Sequence, residues 1–189
     1  MKDRVRLKNV LITGNPGVGK TTLIKDVISR LNISAGGFYT SEMRDEQGRR
    51  SGFKIISLDG RKEIMASVDI VSRYRISRYA VDIEAIDRIG VKAILDALNN
   101  NVVSARLTGE GNDLIVIDEI GRMELFSRQF TDAVMNALDS EKIVLGTISV
   151  KNTNFTKKIK ERLDTRTIKL SRENYSETAT HIERLIGSI

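Results

Sequence analysis

One octapeptide carries the strongest chemical signal in this sequence. Gly14-Asn15-Pro16-Gly17-Val18-Gly19-Lys20-Thr21 fits the pattern G-x-x-x-x-G-K-[ST]. Glycines at these positions let backbone amides curl around phosphate oxygens without a clashing Cβ. Lys20 sets a positive charge against the β and γ phosphates, and the Thr21 hydroxyl is a ligand for Mg2+. Thr22 follows at the start of an expected helix, whose N-terminus also favours anions. The plainer reading is an ordinary glycine-rich turn. With glycine near 7% of residues, a chance match arises on the order of once in a hundred chains of this length. The strand–turn–helix context lowers that further.

A second signal is Leu114-Ile115-Val116-Ile117-Asp118-Glu119. An apolar parallel strand ending in an acid delivers a carboxylate to the C-terminal edge of a sheet, where open α/β sheets bind ligands. Asp118 is expected to hold Mg2+ through the metal's water shell. Glu119 directly after it is placed to orient and polarise a water against the γ-phosphate, which favours ATPase-type hydrolysis. A solvated acidic pair at a strand end is the competing reading. A third segment, Ile143 to Ser149, reads as a strand between the two. Its Thr147 or Ser149 could sense the γ-phosphate, or neither.

Charge gives a fourth signal. Residues 151–172 hold eight basic residues and two acids, a local +6 that equals the net charge of the chain. An arginine here could stabilise the transferred phosphoryl group. The stretch could also be a nucleic-acid footprint or a solvated face. His181 reads as a surface or boundary residue. Glu42 could hold an acceptor hydroxyl in a kinase, or be a solvated acid. Tyr39, Tyr74 and Tyr79 read as packing residues.

The elements that must position these groups alternate. Asn9–Thr13 and Gly37–Glu42 read as strands around a helix bearing Leu23, Ile24, Val27, Ile28 and Leu31. Phe53–Leu58 and Glu63–Ser67 read as a hairpin about Asp59-Gly60. Ile83–Leu98 reads as helix with a break near Gly90, and Asn99–Asn112 as a polar loop. Ser127 reads as the cap of a helix bearing Phe130, Ala133, Val134, Ala137 and Leu138. A basic helix or loop over 151–162, a strand over Thr167–Leu170 and a last helix with Ile182, Leu185, Ile186 and Ile189 follow. This rhythm predicts an α/β fold, a mainly parallel sheet flanked by helices, with a small β-rich insertion at the sheet edge over residues 50–80.

Composition narrows the chemistry. A chain of 189 residues suits one domain, 1–189. No cysteine occurs, which excludes disulfides, thiol catalysis and cysteine metal sites, and a single histidine argues against a His-based zinc site. The basic balance suits an anionic ligand. No apolar run approaches the ~20 residues needed to cross a bilayer. A cytoplasmic protein without membrane contact is expected.

Several stretches then occur in order: Gly14 to Thr22, Gly37-Phe38-Tyr39-Thr40-Ser41-Glu42, Gly52-Phe53, Leu58-Asp59-Gly60 and Val116 to Phe126, which reads VIDEIGRMELF. Together they resemble the thermostable nucleoside-triphosphatase family, also called the cancer-related nucleoside-triphosphatase family. The resemblance covers nearly the whole chain. It implies a RecA-like P-loop fold and Mg2+-dependent hydrolysis of ATP, GTP, CTP and UTP to diphosphate and phosphate. It maps nucleotide contacts onto Gly14–Thr21 and Leu114–Gly121, which adds Ile120 and Gly121 to Asp118 and Glu119. A monomer is expected. The segment Asn99–Asn112 is longer than the family pattern, and Val150-Lys151-Asn152-Thr153 departs from it. A phosphotransferase acting on a nucleoside, nucleotide or RNA end, and a nucleotide-dependent nucleic-acid-binding switch, are the competing functions.

Overall fold

The computed structural model describes residues 6–31, 33–99 and 114–187. Among the described residues nine strands join one sheet in the order β5-β6-β4-β3-β2-β7-β8-β1-β9. The strands are β1 (Asn9–Thr13), β2 (Ala35–Arg44), β3 (Arg50–Ser57), β4 (Lys62–Ser67), β5 (Arg75–Ile76), β6 (Tyr79–Val81), β7 (Leu114–Ile120), β8 (Ile143–Ile148) and β9 (Thr165–Lys169). The pairs β2–β7, β7–β8, β8–β1 and β1–β9 are parallel. From β2 outward, β3, β4, β6 and β5 pair antiparallel. The expected β-rich insertion is therefore an antiparallel wing that extends the same sheet.

Helices cover both faces, as a parallel sheet buried on two sides requires. They are α1 (Lys20–Arg30), α2 (Ile83–Ala85), α3 (Lys92–Leu98), α4 (Arg128–Asp139), α5 (Asn154–Lys160) and α6 (Tyr175–Gly187). Strand alternation splits the core in two. Val10 and Ile12 of β1, with Leu114 and Val116 of β7, pack with Leu23 and Val27 of α1 and Ile182 and Ile186 of α6. Leu11, Ile115 and Ile117 face the other way, onto Ile94 of α3 and Phe130 and Val134 of α4.

The break expected near Gly90 is a π-helical segment, Ile86–Val91, joining α2 and α3 without interruption. Gly90 lies inside it, and a Cβ there would stand 2.7 Å from the Ile55 side chain. A wider helical turn brings the backbone close to β3 where a side chain has no room. The basic stretch forms α5, capped by Thr153 in a reciprocal Thr153–Thr156 pair. The polar segment after Asn99, like Ile189, lies outside the described residues. No described helix is long and apolar enough to cross a membrane.

Candidate active site

The strand order explains why distant residues meet. β8 lies between β1 and β7, so the P-loop after β1 and the acids at the end of β7 stand one strand apart, on one edge of the sheet. The P-loop turn uses left-handed backbone at Gly17 (φ 76°) and Gly19 (φ 98°). Gly19 is the N-cap of α1. Side chains rarely adopt these angles, so the glycines are needed for the turn itself. The turn aims the N-terminus of α1 at the cleft.

Lys20 Nζ folds across the loop mouth and donates to the carbonyls of Gly14 at 3.1 Å and Asn15 at 3.2 Å. Thr21 Oγ1 donates to Asp118 Oδ2 at 2.6 Å. Thr147 Oγ1, from the intervening strand β8, donates to Asp118 Oδ1 at 2.8 Å. Both oxygens of this buried carboxylate are thus oriented, one from each side. Burial pushes the Asp118 carboxyl above its ordinary value, and the two threonine hydroxyls oppose that push.

Adjacent strand residues normally point to opposite faces. Here Asp118 and Glu119 both line the cleft. The register accounts for this: Ile117 pairs with Gly146 and Ile120 with Ile148, so three steps on β7 match two on β8. An extra residue in one strand is a bulge, which re-aims side chains and is rare in parallel pairs. Burial first, and Asp118 second, raise the Glu119 carboxyl.

The cleft has a volume of about 510 Å3. Of the residues expected at the site, Pro16, Gly17, Gly19, Lys20, Thr21, Thr22, Asp118 and Glu119 line it. Gly14 and Asn15 contribute carbonyls to Lys20. Val18 packs against the core on the α1 face. The Ile120 side chain is fully buried in the core on the α4 face, so only its backbone is available at the edge of the sheet. Gly121 acts through its lack of a side chain. A Cβ there would stand 2.9 Å from carboxylate oxygens of both Glu119 and Glu124.

Glu124 is the residue that the spacing of acids did not single out. It is 4% exposed and lines the cleft. Burial, then Glu119, push its carboxyl well above the ordinary value, against hydrogen bonds from its own amide and that of Gly121. A buried Glu in the short 3-10 turn Glu124–Phe126 has no periodicity to betray it. Of the two candidate sensors, Thr147 instead orients Asp118, while Ser149 lines the cleft. The arginines at the cleft are Arg50 and Arg122 rather than any from 151–172. In that stretch Arg162 is held by Asp139 and Asp164, and Lys160 by the Ser149 carbonyl and Asn152.

The donor set suits a hard divalent cation. Mg2+ keeps several waters and takes one or two protein oxygens beside substrate phosphates. Thr21 and Asp118 present such a pair, already in contact. Among the described residues no group of three or more His, Cys, Asp or Glu could hold a metal, so an all-protein metal cage is not offered.

A family model described as "NTPase" matches residues 9–183. The chain belongs to this nucleoside-triphosphatase family. It is 46% identical to a nucleoside-triphosphatase THEP1 of Thermotoga sp. strain RQ2, over 92% of each chain. It is 36% identical to the cancer-related nucleoside-triphosphatase of Homo sapiens, covering 96% of this chain and 97% of that one. The crystal structure of THEP1 from Aquifex aeolicus superposes with a TM-score of 0.79 at 32% identity, covering 94% of this chain and 98% of that one. The solution structure of the human protein gives 0.76 at 30% identity. The P-loop fold expected from the motifs is therefore the fold of the family.

Proposed function

We propose that this protein is a Mg2+-dependent nucleoside-triphosphate phosphohydrolase of broad base specificity, working as a single domain over residues 1–189. The observation that carries the reading is the meeting of Lys20, Thr21, Asp118 and Glu119 in one cleft, with Thr21 bonded to Asp118. The P-loop amides and the α1 N-terminus bind the phosphates. Lys20 exchanges its carbonyl partners for phosphate oxygens. Thr21 and Asp118 would hold the cation, which when bound neutralises charge on the β and γ phosphates. Glu119 accepts a hydrogen bond from the attacking water and orients it toward the γ-phosphorus.

Breadth follows from what the residues address. The P-loop, Asp118 and Glu119 read phosphate, metal and water, and none reads a base edge. Phosphate release from ATP, GTP, CTP and UTP with Mg2+ tests both parts. All four are expected to turn over, with kcat/KM values within roughly 1–2 kcal/mol of one another. Strict preference for one base by hundreds of fold refutes the breadth. Lys20→Ala is expected to nearly abolish turnover, and wild-type rates in that variant refute the phosphate site.

A further inference from the structure

The cleft, of about 510 Å3, runs on past the P-loop and the acids of β7 into a second half. The triphosphate runs from the loop after β1 toward the acids after β7. Behind the P-loop, on the β9 side, the Tyr175 ring stands 3.4 Å from the position of a Gly19 Cβ and offers a face for the base. Past the γ-phosphate lies the antiparallel wing. There the cleft wall is Phe53 and Ile76 from the wing and Met123 from the turn after β7, with Glu42, Arg50 and Arg122 among them.

The chemistry of this half differs from that of the P-loop half. Three side chains give an apolar wall suited to a flat ring. Two guanidiniums give positive charge. Arg50 pairs with Glu42 and lies over Phe53, yet its Nε has no hydrogen-bond partner. Arg122 is exposed and its side chain bonds to no described residue. A ring-binding wall beside the Arg122 guanidinium suits a small phosphate monoester carrying a planar ring.

We propose that the wing half of the cleft is an acceptor site for a nucleoside 5′-monophosphate, and that the protein transfers the γ-phosphoryl group to it. The proposal rests on the placement of the triphosphate given above. An unbridged oxygen of the acceptor phosphate attacks the γ-phosphorus. The bond from that phosphorus to the β,γ-bridging oxygen breaks, and its electron pair stays on the oxygen. Two nucleoside diphosphates result from one triphosphate and one monophosphate, with no proton or electron left over. The nucleophile is already ionised at neutral pH, so the step needs no general base. Arg122 lies between the two phosphates and offsets their repulsion.

The test uses the full chain, Mg2+ and ATP labelled at the γ position, with millimolar AMP, GMP, CMP or UMP. Labelled diphosphate and labelled phosphate are resolved in the same samples. The expected result is label in the β position of a diphosphate, faster than phosphate release, for at least one monophosphate. Phe53→Ala and Ile76→Ala should each cut transfer by about tenfold, the scale of one lost ring contact, with acceptor-free hydrolysis unchanged. Ile76 lies on a two-residue strand, so its variant keeps the test open if the Phe53 variant misfolds. Absence of label transfer to all four monophosphates overturns the proposal, and the phosphate released in those samples says whether the hydrolase reading falls with it. A tenfold rise in KM for ATP alone in both variants also overturns it, because the wall then holds the donor.

Discussion

Among the described residues no cation hydrogen-bonds Glu119, and Asp118 is its immediate neighbour. If Glu119 orients the attacking water, as proposed, its loss should separate binding from turnover. Glu119→Gln keeps shape and hydrogen bonding but carries no charge. ATP–Mg2+ affinity is expected to hold within about threefold, while turnover falls by roughly 10²-fold or more, the scale of lost general-base assistance. Glu42 is tied to Arg44 at 2.9 Å and to Arg50. Glu42→Gln should therefore leave hydrolysis largely intact, and the reverse pattern in single-turnover kinetics would displace Glu119 from its role. Glu124 makes a different prediction. Its carboxyl is raised in the fold above the ordinary 4.5, so the folded state binds the proton more tightly than the unfolded chain. Its contribution is present at low pH and is lost as pH rises above the ordinary carboxylate range. The ligand-free protein should melt at a lower temperature at pH 8 than at pH 6, and Glu124→Gln should shrink that difference. An unchanged difference would assign the slope to other groups.

The elements show which parts of this site the sequence made legible. The P-loop is eight consecutive residues, so its chemistry can be read without knowing the fold. The strand ends of Asp118 and Thr147 could be placed on one sheet edge by pattern alone. The bulge at Asp118–Glu119 could not, because it exists only in the register between β7 and β8. The wing wall was equally hidden. Phe53, Ile76 and Met123 lie far apart along the chain and meet only because β3 to β6 extend the sheet on the β2 side. The Ser127 cap was legible and has a second task. Its hydroxyl accepts from the Phe130 amide at 3.0 Å and donates to Asp87 in the π-helical segment. It thereby joins α4 to that segment. Ser127→Ala loses both and should cost about 1–2 kcal/mol. For a chain of this size that lowers the melting temperature by roughly 2–8 °C. Turnover should not change, since Ser127 lies outside the cleft, and a loss of kcat at intact stability would show that α4 also sets the acids of β7.

Across the whole molecule, the core and the site pull in opposite directions. Two apolar layers cover the sheet, and at its C-terminal edge three acids, Asp118, Glu119 and Glu124, are raised by burial. Ligand-free, these groups cost stability that cation and phosphate recover on binding. Asp118 is the sharpest case, at 1% exposure with Thr21 and Thr147 bonded to it. Asp118→Asn removes the buried charge and keeps both contacts, because threonine hydroxyls can turn to donate or accept. The ligand-free variant should therefore melt above the wild type at neutral pH. Its response to ligand should weaken for the same reason. A saturating Mg2+–nucleotide complex at about 100 times Kd stabilises by roughly 2.7 kcal/mol, or about 5–11 °C in a chain of this length. The wild type should show that shift only with both Mg2+ and a non-hydrolysable triphosphate. Asp118→Asn should show less than half of it, from the P-loop contacts alone. A variant that melts lower when ligand-free, yet keeps the full shift, would mean that Asp118 serves the fold and that the cation is held elsewhere.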